Sequence, residues 1–358
     1  MVSSRSGILC GMITKTRSLD TNDLSCLKRD TKAQMTSHLY KQKQSLEFYE
    51  DRYEKGYMDE WPAEKKRIVN EVIQEINLPA KGEALDFGCG NGVLTEIIQQ
   101  VLPSWKIFGT DLSKKAIDNA RIRYPNCTFF EVNSPDFTRK KFDFVFTHHV
   151  FEHVYNLSDV FDQMNEYLKP ESAMLHFLPC GNEGSYEYNI CKLRKDGINA
   201  ELENRFFFED ESHVRRLTTD DFCNLCRTKG FHLNKSFYLS QYYGAINWIT
   251  NSHPRFVLMF SDSSQAVDKK AEQKLKKTRM YLIVITLLRL PAKIVAKLLP
   301  KKNKQFKHYL LLLMGLPFFV FSNHIDKYWK RKARDEWETK KFERNGSEMC
   351  LYFKRSLR

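Results

Sequence analysis

No second cysteine pair accompanies Cys223-x-x-Cys226, and the nine cysteines (10, 26, 89, 127, 180, 191, 223, 226 and 350) keep no pairing rhythm. A structural zinc site of the paired kind needs two such pairs, so these residues are expected to be reduced core cysteines of a cytosolic chain. Met1–Thr31 lacks a charged region leading into an apolar core and cleavage site, so no secretory signal is expected there. Residues 1–39 read instead as a polar, disordered N-terminus. Long apolar runs are also missing. Tyr281–Leu288 is the most apolar stretch, and Tyr309–Phe321 is only 13 residues long with Gly315 and Pro317 inside it. A bilayer span takes about 20 residues, so neither is expected to cross one. No internal repeat or low-complexity tract occurs. No carboxylate cluster with metal-ligand spacing accompanies the histidines, so no catalytic metal is expected. What the chain does have is 42% hydrophobic and 13% aromatic residues, enough for a sizeable core. At 358 residues it exceeds one minimal α/β domain, which implies an extension.

The stretch Leu85-Asp86-Phe87-Gly88-Cys89-Gly90-Asn91-Gly92 organises the rest. A short apolar run ends in an acid, three glycines follow, and a helical pattern covers Val93 to Val101. This is the strand, tight turn and helix that open an α/β nucleotide-type site. Its spacing is G-x-G-x-G, not the G-x-G-x-x-G that aims amides at a pyrophosphate. Asp86 suits a ligand bearing an ammonium. Nineteen residues beyond Gly92, a second strand ends in Asp111, where a carboxylate accepts both hydroxyls of a ribose.

These residues, with Gly109–Ser113 and Phe142–Val154 (F-D-F-V-F-T-H-H-V-F-E-H-V), resemble the class I S-adenosylmethionine-dependent methyltransferases. The resemblance covers roughly residues 45–240 and the last strand, Met349–Lys354. It implies an α/β, doubly wound, Rossmann-like seven-stranded sheet with S-adenosyl-L-methionine as cofactor. It assigns Asp86, Gly88, Cys89, Gly90, Asp111, Leu112 and Thr147 to cofactor binding. Asn133, after the third strand, is the candidate for the adenine amine, although the family's commoner acid is missing. It also implies an N-terminal helix over the cofactor, and Tyr49, Tyr53, Tyr57 and Trp61 recur at fourfold spacing on such a helix.

The domain is expected over 40–240, with helices at Ala63–Ile76, Ser113–Tyr124 and Leu157–Leu168 and a fifth strand at Ala173–Leu178. Residues 184–216, rich in Tyr, Phe and charge, follow that strand and form either an acceptor lid or a surface excursion. The last strand is read at 346–358, which makes 241–345 an insertion; Arg255–Phe260 is the competing seventh strand and would make the remainder a C-terminal extension.

Strands one and four flank the switch point, and ligands lie beyond their carboxyl ends. His148 and His149 therefore arrive beside the reactive methyl. A hydroxyl acceptor must lose a proton, and histidine titrates near enough to neutrality to take it. Adjacent side chains point oppositely, so one of the two is expected to be packed or supporting. His153 is assigned a structural hydrogen bond, and His213 becomes a further catalytic candidate if the lid folds over the mouth.

Charge locates the partner. Between Asp268 and His308 lie thirteen Lys and Arg against two acids, a net +11 of the chain's +13. Arg289, Lys293 and Lys297 share one helical face while Leu290, Ile294, Val295 and Leu298 lie off it, as in a helix resting on an anionic membrane. Packing onto the α/β core, or a homodimer interface, is the other use for these segments. The reading is O-methylation of a small or lipid-linked acceptor, glycan- or quinone-like, by a cytoplasmic enzyme peripheral on a membrane. RNA methylation is disfavoured, because Thr147-His148-His149-Val150 departs from the Asn/Asp-Pro-Pro-aromatic run of base-amine enzymes; small-molecule N-methylation stays open. A non-catalytic membrane scaffold is the third reading, against which stand the intact acids 86 and 111.

Overall fold

The computed structural model describes residues 49–132, 134–300 and 303–355. Within them, apolar runs become one seven-stranded sheet in the order β3-β2-β1-β4-β5-β9-β8. β1 (Glu83–Phe87), β2 (Lys106–Asp111), β3 (Thr128–Glu131), β4 (Phe142–His148) and β5 (Leu168–Pro179) are parallel neighbours. A two-residue hairpin, β6 (Ile198–Asn199) and β7 (Arg205–Phe206), stands apart. β9 (Glu348–Arg355) runs antiparallel between β5 and β8 (Phe231–Leu239).

Burial on both faces explains why the middle of β4 reads Phe144-Val145-Phe146. One face is covered by α1 (Ala63–Glu75), α2 (Val93–Val101) and α3 (Lys114–Arg123), whose Val69, Val72, Ile98 and Ile117 meet Phe144, Phe146 and Tyr352. The other is covered by α4 (Leu157–Glu166) and α5 (Thr219–Thr228), with Phe161, Met164 and Phe222 against Val145, Leu351 and Phe353. α5 opens on a capping box, Thr218 and Asp221. α4 stops earlier than its pattern predicts, and β5 begins at Leu168 rather than Ala173. Pro170 is tolerated because β5 leaves register between its pairs Phe142↔Leu168 and Phe144↔Ala173, so no ladder donor is needed there.

Between β8 and β9 the chain forms a helical module. It comprises α6 (Tyr243–Asn251), a short helix Pro254–Phe260, α7 (Lys269–Leu298), α8 (Phe306–Gly315) and α9 (Phe319–Lys340). The competing seventh strand at 255–260 is therefore helical. Its apolar run buries Val257 and Phe260 against Ile246, Ile249 and Leu275.

α7 runs on through Pro291, because the Ala292 amide finds the Ser322 hydroxyl of α9 at 2.9 Å, and the expected lipid-facing basic side does not hold. Arg289 does not face headgroups. It is fully buried, donating to Asp326 at 2.6 Å and to Thr250 and Asn247 of α6 at 2.7 and 2.8 Å. Lys293 is drawn down beside it onto the Thr250 carbonyl, and burial lowers its pKa to about 8. Val295 and Leu298 pack under Leu312 of α8. The apolar run near 309–321 is likewise not isolated: a 3₁₀ turn at Leu316–Phe318 joins α8 to α9, and Phe306–Lys340 is one helical run long and apolar enough to cross a membrane.

Candidate active site

β1 delivers Asp86 to the sheet's carboxyl end, and the turn beyond it uses three positive-φ glycines, Gly88, Gly90 and Gly92. The loop spends its amides on protein. Gly88 and Cys89 N–H both reach the Thr110 carbonyl at 2.8 and 3.0 Å, and Gly90 N–H donates to Asp111 Oδ2 at 2.9 Å. Such a loop is not built for a phosphate, whose site needs free amides. It leaves open backbone beside two carboxylates. Asp86 is buried, accepts the Thr95 hydroxyl at 2.6 Å, and is pushed by burial to a pKa of about 7. Asp111 takes one amide per oxygen, Gly90 on Oδ2 and Ser113 on Oδ1, both at 2.9 Å. Each oxygen keeps a second lone pair for a hydroxyl donor.

β4 ends at His148 with His149 directly after it, and the environments of the two diverge. His148 lies sealed between Phe146, Phe177 and the edge of Trp61, 4.6 Å between ring centroids, with neither ring nitrogen hydrogen-bonded. Burial holds it well below the ordinary histidine pKa. His149 is the accessible one, in a left-handed backbone conformation (φ 55°) that bulky residues adopt only when their surroundings enforce it. Its Nδ1 lies 2.6 Å from Glu152 Oε1 and its Nε2 3.4 Å from Glu348 Oε1. Burial lowers the His149 pKa, but the two carboxylates outweigh it and raise it to about 9. Burial likewise pushes Glu152 up, and His149 overrides it to hold the carboxyl at about 2. Glu348, also ion-paired with Lys65 of α1, stays below the usual carboxylate range despite burial.

Over this cluster lie the N-terminal aromatics and the segment after β5. Tyr53 sits on the glycine loop, so that a Cβ on Gly90 would fall 2.8 Å from its hydroxyl. The Tyr49 hydroxyl meets His153 Nδ1 at 2.8 Å and Ser212 Oγ at 3.1 Å. Asp210 binds Arg52 at 2.8 Å. Residues 210–213 therefore edge the site, while Arg216, buried between Glu187 and Glu209, fixes their base to the sheet.

A family model, described as a methyltransferase domain, matches residues 57–235, half of the chain. The chain belongs to that family. The loop just described suits the S-adenosylmethionine expected of such a methyltransferase domain: a buried acid where an ammonium would lie, a second for a ribose, and no phosphate cradle. Curated relatives include trans-aconitate 2-methyltransferases of Variovorax paradoxus, 35% identical over 66 residues, and of Rhodopseudomonas palustris, 34% over 70. These spans cover 18% and 20% of this chain and 26% and 27% of those enzymes. The chain thus spans about a quarter of the length of the curated relatives it matches. Solved structures include a coclaurine N-methyltransferase bound to N-methylheliamine and SAH, 12% identical at TM-score 0.40, covering 81% of this chain and 72% of that one. Another is a TehB-like SAM-dependent methyltransferase of Corynebacterium glutamicum, 13% identical at TM-score 0.35, covering 54% and 86%.

Of the cofactor residues expected in this methyltransferase, Asp86, Gly88, Gly90 and Asp111 line the loop, and Leu112 lies exposed after β2. Cys89 turns its buried thiol inward against Gly109. Thr147 is a correction: its hydroxyl shares a 2.8 Å hydrogen bond with His176 inside the core. Asn133 lies outside the described residues. His148 is the packed member of the histidine pair. His213 does reach the edge, its ring centroid 4.6 Å from that of His153. Sequence reasoning missed Lys65, Glu152 and Glu348. It also took the histidines to lack carboxylates, whereas two groups form in the fold, His148–His149–Glu348 and Glu152–His153–His213. Each group brings one donor atom per residue within 4.8 Å.

Proposed function

We propose that this methyltransferase methylates an oxygen of a small or lipid-linked acceptor, glycan- or quinone-like, presented at the cytoplasmic face of a membrane. The observation that carries the reading is the apolar surface of the helical module. Phe306, Leu310, Leu313 and Met314 of α8, Phe318, and Val320 and Phe321 of α9 are exposed, as are Leu287 and Leu288 of α7. Single exposed leucines need no explanation, but a concentration of this size does. Lys297, Lys307 and Lys327 are exposed on the same three helices, the charge that suits an anionic surface.

When bound, the cofactor supplies a methyl already activated on a sulfonium. The chain then has to position the acceptor and receive its proton. His149 is the accessible imidazole at the switch point, and Glu152 and Glu348 hold its ring in place. Because Glu152 and Glu348 keep His149 protonated up to a pH of about 9, it takes the acceptor's proton only in its neutral fraction, and turnover should rise as pH approaches that value.

Label transfer tests the proposal. Protein and methyl-labelled S-adenosylmethionine are incubated with washed membranes or with a soluble metabolite fraction. Label should extract with the membrane fraction; label confined to soluble acids, trans-aconitate among them, overturns the membrane acceptor. His149→Ala should lower turnover about 10²–10⁴-fold with cofactor affinity unchanged. Full turnover in that variant removes the histidine from the chemistry.

A further inference from the structure

A second group of ligating side chains stands beside His149. Glu152 and His153 project from the 3₁₀ turn after β4, and His213 comes from the segment that edges the site. Their donor atoms lie within 4.8 Å of one another. Glu152 is 2% exposed; one carboxylate oxygen holds His149, and the other, Oε2, is buried with no hydrogen-bond partner. An orphaned carboxylate oxygen in such a place is costly unless something binds it.

The imidazoles are held from behind. His153 Nδ1 is engaged by the Tyr49 hydroxyl at 2.8 Å and by Ser212 Oγ and carbonyl at 3.1 and 3.3 Å. His213 Nδ1 faces Glu209 Oε1 at 3.4 Å. Metal-binding histidines are oriented in this way, the outer nitrogen tied to a carbonyl or carboxylate and the inner one left to the ion. The two rings meet edge-on at 80°, with 4.6 Å between their centroids, and one nitrogen of each lies within 4.8 Å of the other and of a Glu152 oxygen.

We propose that Glu152, His153 and His213 form a site for one divalent transition ion of the zinc class. Two nitrogens and one carboxylate favour such an ion over magnesium or calcium, which take oxygen ligands. The neighbouring trio of His148, His149 and Glu348 is a poorer host, because the Lys65 ammonium already sits on Glu348 and His148 is sealed beneath Trp61. Three protein ligands leave a position open. If the O-methylation reading holds, an acceptor oxygen fills it; metal binding itself does not depend on that reading. The ion also joins the segment carrying His213 to the end of β4.

The test uses the full chain, stripped with chelator and titrated with zinc alone, with bound metal counted by mass spectrometry. One zinc per chain is expected, and cobalt in its place should show no thiolate charge-transfer band. Losing an outer partner costs about 10–100-fold in metal affinity, so His213→Ala and Glu152→Gln should each lose at least 100-fold. S-adenosylhomocysteine binding, measured in parallel, verifies that His213→Ala is folded. The proposal fails if the wild type binds no zinc at millimolar concentration. It also fails if His213→Ala binds as well as wild type, or if only Glu348→Gln abolishes binding. No acceptor is present in any arm, so failure here and failure of the acceptor assignment are separate results.

Discussion

Asp86 and Asp111 flank the same glycine loop, and their hydrogen-bond partners distinguish them. Asp86 sits under the loop with one hydroxyl partner, and burial brings its pKa to about 7. Above that pH it is a carboxylate; below it, a neutral acid. A ligand ammonium favours the ionised form, so affinity is full above about 7 and falls as pH drops through it. Calorimetry with S-adenosylhomocysteine from pH 8 to 5.5 should show this decline, and Asp86→Asn should flatten it. A wild-type profile as flat as the variant's would place the ammonium elsewhere. Asp111 is argued from lone pairs. Asp111→Ala leaves two ribose hydroxyls and the Gly90 and Ser113 amides without an acceptor, costing about 2–4 kcal/mol. Cofactor affinity should drop tenfold or more, and equal affinity removes Asp111 from the site. Both acids were legible because one unbroken run of residues and one strand end carry them. Glu348 was not: it lies 200 residues from His148. Only the antiparallel entry of β9 beside β5 brings its first residue to the carboxyl end of β4. Glu152 stood in plain view between Phe151 and His153, but nothing local says that a 3₁₀ turn swings it back onto His149.

At the scale of elements, periodicity identified α7 as a helix but misjudged which face turns inward. The pattern put Arg289 with Lys293 and Lys297 on a solvated face, as charge usually is. The fold instead supplies Arg289 with Asp326 from α9 and with Asn247 and Thr250 from α6. Partners 37 to 42 residues away cannot be seen in a helical wheel. Breaking a buried pair by removing one partner costs about 3–5 kcal/mol, whereas replacing both by apolar groups is often neutral. Arg289→Ala should therefore lower the urea midpoint by an amount equivalent to that loss, and Arg289→Met with Asp326→Leu should recover most of it. A single variant as stable as wild type would show that this pair does not hold α7 to α9. The glycine-loop helix α2 and the capped helices α3 and α5 posed no such problem, because their apolar stripes face a sheet that the strand pattern had already placed.

For the whole molecule, what must be decided is what covers the apolar surface of the helical module. The run from 306 to 340 is long enough to span, but its second half carries Asp326, Lys327, Lys330, Arg331 and Lys332. Asp326 is tied to buried Arg289 and Trp329 is packed into the module, so drawing the run across a bilayer would break that packing. The reading this favours is a hairpin of α7, α8 and α9 lying in the headgroup plane, exposed apolar side chains inward and lysines toward anionic lipid. Flotation of the full chain with vesicles tests it. Binding should require anionic lipid and weaken with added salt as surface charges are screened. Replacing Phe306, Leu313 and Phe321 by serine should abolish binding while S-adenosylhomocysteine affinity holds, since none of the three touches the sheet's site. Resistance to alkaline extraction would mean that the run spans. Failure to float on any lipid, with a concentration-dependent doubling of mass that the serine variant lacks, would make the same surface the contact between two copies of this chain.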